Sequence, residues 1–277
     1  MQSTIEKQSL EQAALDFREF VVEGFYAKKG QYEKNTIAAK AMLRDRLHSS
    51  DQKRHEYTEL GWVAKFMPKQ RRAIDHAAII EELLCYIKSE ALSQTITFNK
   101  KRMDADGATS FVENYMYPPT YYIKATLNKL GKQFGDAILE DYNGVSEMDL
   151  IRSIEFNTTR KKELEERHTK LLVPFRTMEE QKFNLDIGSI SKIANRPVYD
   201  VHKIYETFGL EFLIEYGEVK TGAIEEWIGI KAIPHDILSR NSIVEEITLD
   251  FTVMTLQAEE NAFNAFKRFR EYRYLIV

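Results

Sequence analysis

From Ser146 to Leu172 the chain reads as one long helix, and this stretch restricts the fold more than any other. Ser146 is placed to cap the N-terminus, and Glu147 and Asp149 fall in the first turn, where carboxylates meet the positive end of the helix dipole. Pro174 stops it. Glu163/Arg167 and Glu166/Lys170 stand in the i, i+4 order that favours ion pairs along a helix. Leu164, His168 and Leu171 mark its inner side. The spacing predicts a solvated or coiled-coil-like helix in which His168 is a core or interhelix residue rather than a metal ligand.

Two further helices are predicted in the first fifty residues. Leu10, Ala14, Phe17 and Val21 line up as one apolar stripe. Gly24 and Gly30 predict a break near 27–31, before a second helix from Glu33 to His48. The period then changes. Leu60, Trp62, Ala64 and Phe66 alternate with their neighbours as in a half-buried strand, which Pro68 is expected to end, so a short strand or hairpin is placed near 56–67. A helix follows from Ile74 to Ala91, with Cys85 as a small buried side chain. Thr95–Phe98 and Phe111–Tyr115 read as short strands. Ile123, Leu127, Leu130 and Phe134 form a stripe that predicts another helix. Beyond Gly188 the expectation is two short helices to Phe208, a β-hairpin over 210–233, a strand through Ile243, Ile247, Leu249, Phe251 and Val253, and a terminal helix from Ala258 to Arg273. That helix is expected to carry Phe263, Phe266 and Phe269 onto the hairpin, the alternative being a second subunit, with Tyr274–Val277 as an edge strand.

Composition removes several classes. With 12 Gly and 6 Pro among 277 residues, low complexity is excluded, and 12% aromatics with a net charge of −4 exclude intrinsic disorder. One cysteine cannot form an internal disulfide or a thiolate metal cluster. The start, MQSTIEKQSLEQ, lacks the basic flank and apolar stretch of a secretory signal. No run approaches the ~18 apolar residues of a membrane span. These features predict a cytoplasmic protein with no membrane association, and no cofactor or metal is expected.

Three constellations carry chemistry. Residues 189–205 resemble a helix-turn-helix: Ile190, Ile193 and Ala194 would pack the first helix, and Val198, Val201 and Ile204 the second. The turn is several residues short and lacks a central glycine. On this reading Arg196, Tyr199, His202 and Lys203 face DNA; otherwise the segment is an ordinary helical corner. Asp200 with Glu218-Val219-Lys220 is similar to the Asp…Glu-X-Lys core of Mg²⁺-dependent nucleases, where two carboxylates hold the metal and the lysine stabilises charge at the phosphate. Its alternative is a solvated strand end. Tyr115, Tyr117, Tyr121 and Tyr122 form an aromatic run suited to a protein interface, to stacking on single-stranded nucleic acid, or to a buried edge.

The charged helical start, followed by a strand and short helices, resembles in general style the small accessory proteins of bacteriophages, a likeness that rests on no motif and transfers no functional residue. The expected fold is α+β and predominantly helical, with long amphipathic N-terminal helices and a small antiparallel sheet in the C-terminal part. Its regions are 1–174, mainly helical, and 175–277, with a boundary near Pro174–Gly188. The expected function is non-enzymatic binding through protein–protein contacts, as an oligomer or as a phage-type accessory or inhibitor protein. A DNA-binding regulator and a Mg²⁺-dependent nuclease are the alternatives.

Overall fold

The computed structural model describes residues 2–264 and shows a helix-rich α+β protein with small sheets. In chain order the elements are α1 (Gln2–Val22), α2 (Phe25–Leu47), β1 (Arg54–Tyr57), β2 (Trp62–Ile74), α3 (His76–Leu83), α4 (Leu92–Thr95), β3 (Ile96–Phe98), α5 (Lys100–Ala105), α6 (Thr109–Val112), β4 (Tyr121–Leu127) and α7 (Lys129–Gln133). There follow α8 (Glu147–Leu172), β5 (Lys182–Leu185), β6 (Gly188–Ala194), α9 (Val201–Tyr216), β7 (Gly217–Val219), α10 (Thr221–Gly229), α11 (Ile237–Arg240) and β8 (Ser242–Thr255). Residues 256–264 are helical again. Among the described residues no helix is long and apolar enough to cross a membrane.

The chain condenses into two units, each built from two separated segments: residues through Lys65 with Thr120–Asn195, and Phe66–Pro119 with the residues from Arg196 onward. This differs from a division at 174/175, because β5 and β6 pair with each other and β6 pairs with β4, which keeps 182–194 with the first segment.

In the first unit α8 packs along α2. Ser146 caps α8 as expected, its hydroxyl accepting from the Asp149 N–H at 3.2 Å. The ion pairs are not the expected ones. Arg167 reaches Glu23 at 2.9 Å and Lys29 reaches Glu165 at 2.8 Å. Glu163 and Glu166 pair instead with Arg160 and Lys162. The packed face of α8 thus draws Arg167 across to its neighbour. The break between α1 and α2 falls at Gly24 (φ 92°), a left-handed conformation that favours glycine, and the helix continues through Gly30. Buried Asn35 on α2 ties down the chain at 138–140, donating to the Ile138 carbonyl and accepting from the Glu140 N–H. The predicted helix through Ile123 is instead strand β4 followed by the short α7. Ile123 and Leu127 lie an even number of residues apart, so with Ala125 they share one face of a strand equally well, and that face meets the core of Phe17, Val21, Phe175 and Ile190.

In the second unit α3, α9 and α10 bury Ile79, Ile80, Leu83, Ile204, Leu213, Ile224 and Ile228 around the β3–β7 pair. Helix α3 stops at Leu83; tight turns from Leu84 to Ile87 bury Ile87 and leave Cys85 exposed, contrary to its expected burial. Phe111–Tyr115 is helical, not a strand. The expected hairpin over 210–233 is also absent: 210–216 completes α9 and 221–229 is α10. Leu210–Tyr216 is apolar at five of seven positions, so both periods fit it. A kink at Gly209 (φ 76°, ψ −173°) interrupts α9 in a region essentially restricted to glycine. Of the terminal helix, Phe266, Phe269 and Tyr274–Val277 lie outside the described residues.

Two outcomes follow. Replacing Gly209 with Ala should cost about 1–3 kcal/mol, read as a lower urea midpoint. His168 stacks on Phe25 (centroids 4.8 Å, 10°) and leans on Phe17. Burial, and then the charge of Lys29, holds its pKa below the usual imidazole value, with Glu165 opposing in part. Because the folded state takes up this proton less readily than the unfolded state, stability should fall as pH drops below about 6.5. His168→Phe keeps an aromatic stack and should reduce that fall in urea titrations at successive pH values.

Candidate functional site

The helix-turn-helix expectation is overturned by the backbone. Residues 189–194 lie in β6, with Ile190 opposite Ala125 and Phe183, so only one helix is present in the segment. Tyr199 is buried, its ring edge-on to Phe98 at 5.5 Å, and cannot face a groove. His202 lies 3.5 Å from Glu206, and Lys203 pairs with Asp200 at 3.2 Å. Arg196 is exposed.

The nuclease constellation does not assemble either. Asp200 caps α9, accepting from the Lys203 N–H. Glu218 accepts from Asn99 at 2.7 Å and lines a cleft with His76 and Arg102, whereas Lys220 lines a different cavity. Successive strand residues point to opposite faces, so Glu218 and Lys220 could converge, but their anchors differ: Lys220 donates to the Ser93 carbonyl at 2.8 Å. Among the described residues no group of three or more His, Cys, Asp or Glu side chains is placed to hold a metal.

The tyrosines divide. Tyr115 turns inward, edge-on to Phe208 at 5.9 Å, while Tyr117 is exposed in the same unit. Tyr121 and Tyr122 are exposed neighbours on β4 in the other unit and face opposite sides of the strand. Lys192 sits over the Tyr121 ring at 5.3 Å.

A more distinctive surface lies on β2 and β8. Pro68 does not end β2, which continues to Ile74 because a proline is tolerated where a strand edge needs no N–H donor. The contacts run in opposite directions along the two strands: Phe66 meets Phe251 (4.9 Å), Lys69 meets Thr248 and Asp250, Arg71 meets Glu245, and Arg72 meets Ser242. The strands are therefore antiparallel. Residues 67–73 and 243–250 are exposed throughout, and Ile243, Ile247 and Leu249 retain 74%, 63% and 54% of their surface. By alternation these three share a face of β8. The β8 edge away from β2 is open among the described strands. The sequence alternation predicts the strand through Ile243–Val253, but ends the other strand at Pro68 and so does not foresee the ribbon.

No protein family model matches the chain, and no curated protein or solved structure matches it.

Phe66 and Phe251 anchor the base of this ribbon, and a two-stranded ribbon is marginal without such support. Phe66→Ala should speed amide hydrogen exchange selectively over 67–73 and 243–250, measured by mass spectrometry of peptides.

Proposed function

We propose that this chain is a binding protein acting through protein–protein contacts, that β8 is its docking edge, and that a second copy of the chain occupies it. The observation that carries the reading is the edge of β8, which is open among the described residues. Strand edges are normally blunted by lysine, proline or bulges. Strand β2 carries Pro68, Lys69, Arg71 and Arg72, but Ser242–Thr255 contains no Lys, Arg or Pro and exposes Ile243, Ile247 and Leu249.

The order of residues supports a second copy. Antiparallel pairing about a two-fold at Ile247 sets Ile247 against itself, Glu245 against Leu249, Glu246 against Thr248 and Asp250 against Val244. No carboxylate then opposes another, and the main-chain groups of both edges gain partners. Such two-fold contacts are the commonest form of soluble oligomer.

Sedimentation velocity tests the reading. The protein should show a concentration-dependent dimer, and Ile247→Lys, which opposes two ammonium groups at the two-fold, should weaken it at least about tenfold. Because Ile247 is exposed, its fold stability should change by no more than about 0.5 kcal/mol. A monomer at every concentration overturns the second copy as occupant. If that monomer captures another protein and Ile247→Lys releases it, the edge stands and the occupant is a different chain.

A further inference from the structure

In the second unit a cavity of about 150 Å³ opens between strand β3, the segment Arg196–Tyr199 and Lys220. Among the described residues its two cationic side chains lack the counter-charges that neighbours possess. Arg102, Lys203 and Arg240 each hold a carboxylate, from Glu215, Asp200 and Glu82. Lys220 is half-buried and donates only to the Ser93 carbonyl, and among the described residues no carboxylate lies against it. An ammonium has three protons to donate, so two remain. Arg196, on the same cavity, has no hydrogen-bond or ion-pair partner among the described residues.

Partial burial of an ammonium without a counter-charge is unfavourable. Burial accordingly lowers the Lys220 pKa, a change that an anion would reverse. We propose that the cavity binds a small oxyanion, the phosphate or carboxylate group of a small molecule, between Arg196 and Lys220. Pockets for drug-sized ligands hold roughly 300–1,000 Å³, so this one takes a charged headgroup rather than a whole nucleotide. Asp200 does not compete, since its carboxylate is engaged by Lys203 and the first turn of α9. Tyr199 adds no charge to the wall: burial, and then the carboxylates of Asp104 and Glu113, push its pKa up and keep the phenol protonated.

The proposal is independent of the ribbon. Calorimetric titration of the full chain with sodium phosphate, and separately with sodium succinate, each against sodium chloride at matched ionic strength, tests it. Saturable binding of at least one is expected, weakened at least about tenfold in Arg196→Gln and in Lys220→Met with unchanged circular dichroism. Binding of phosphate alone assigns a phosphoryl ligand, and of succinate alone a carboxylate. If neither binds beyond chloride, or Arg196→Gln binds as well as the parent, the site is refuted. Arg196 is exposed, with no side-chain hydrogen bond or ion pair among the described residues, so its variant decides the matter even where Lys220→Met does not fold.

Discussion

The pairing of β3 with β7, Ile96 opposite Val219 and Phe98 opposite Gly217, is the contact around which the second unit's core is built, and like the β2–β8 pairing it joins residues that the chain separates widely. The Thr248 hydroxyl bonds the Lys69 carbonyl across 179 residues of sequence. The first unit has the same character, with β4 paired to β6 from Tyr121↔Ala194 to Leu127↔Gly188 and α8 laid along α2. Each unit closes only when its second segment has been made. Loop-closure entropy rises slowly with length, so such distant contacts are tolerable in the final state, but they must be formed before they stabilise anything. Locally closed elements can form first: α3 with its Asp75 cap, the β1–β2 hairpin with Arg54 opposite Lys65, and α8 with its Ser146 cap.

What was legible in the sequence follows this division. The capped helix α8 and a short strand or hairpin near 56–67 are readable because their determinants lie within a few residues, although β2 runs on past Pro68. The long helix ending before Pro174 needed only a serine, two early carboxylates and a stop. The errors arose where two periods fit one run. Ile123 and Leu127 are compatible with a helix stripe and with a strand face, and only the neighbouring β6 decides between them. Ile190 and Ile193, three residues apart, fit a helix stripe and lie on opposite faces of β6, so only the pairing with β4 and β5 makes the segment a strand, while Leu210–Tyr216 fits a strand because so few of its residues are polar. Of the two glycines that weaken the N-terminal helical run, Gly24 takes the left-handed turn, whereas Gly30 stays within α2.

The candidate sites were legible by residue type and not by partner. Arg196 and Lys220 were both marked as phosphate-seeking cations, one for a DNA groove and one for a nuclease centre. The structure places them on one cavity and leaves their proposed former companions, Tyr199 and Glu218, as a buried wall and a side chain held by Asn99. No spacing rule could have supplied that, since what singles out Lys220 is that no carboxylate among the described residues lies beside it. Similarly, β8 reads as a strand from its alternation, but whether its apolar face is covered depends on tertiary packing.

The two surfaces rest on different forces, and this separates them in solution. An oxyanion between Arg196 and Lys220 is held by charge, which added salt screens: the Debye length falls from about 10 Å at 0.1 M to about 3 Å at 1 M. An edge-to-edge pairing of β8 rests on main-chain hydrogen bonds and on burial of Ile243, Ile247 and Leu249, which salt weakens little and sulfate strengthens. Its carboxylates, Glu245, Glu246 and Asp250, lie opposite uncharged residues in the two-fold register, and Glu246 lies diagonal to Glu246 and Asp250 of the second copy, so screening removes no attraction and relieves a like-charge repulsion. Raising salt should therefore weaken anion binding, less steeply at half-buried Lys220 than at exposed Arg196, without weakening association through β8, and association that instead fell with salt in parallel with anion binding would assign the association to charge rather than to the β8 edge.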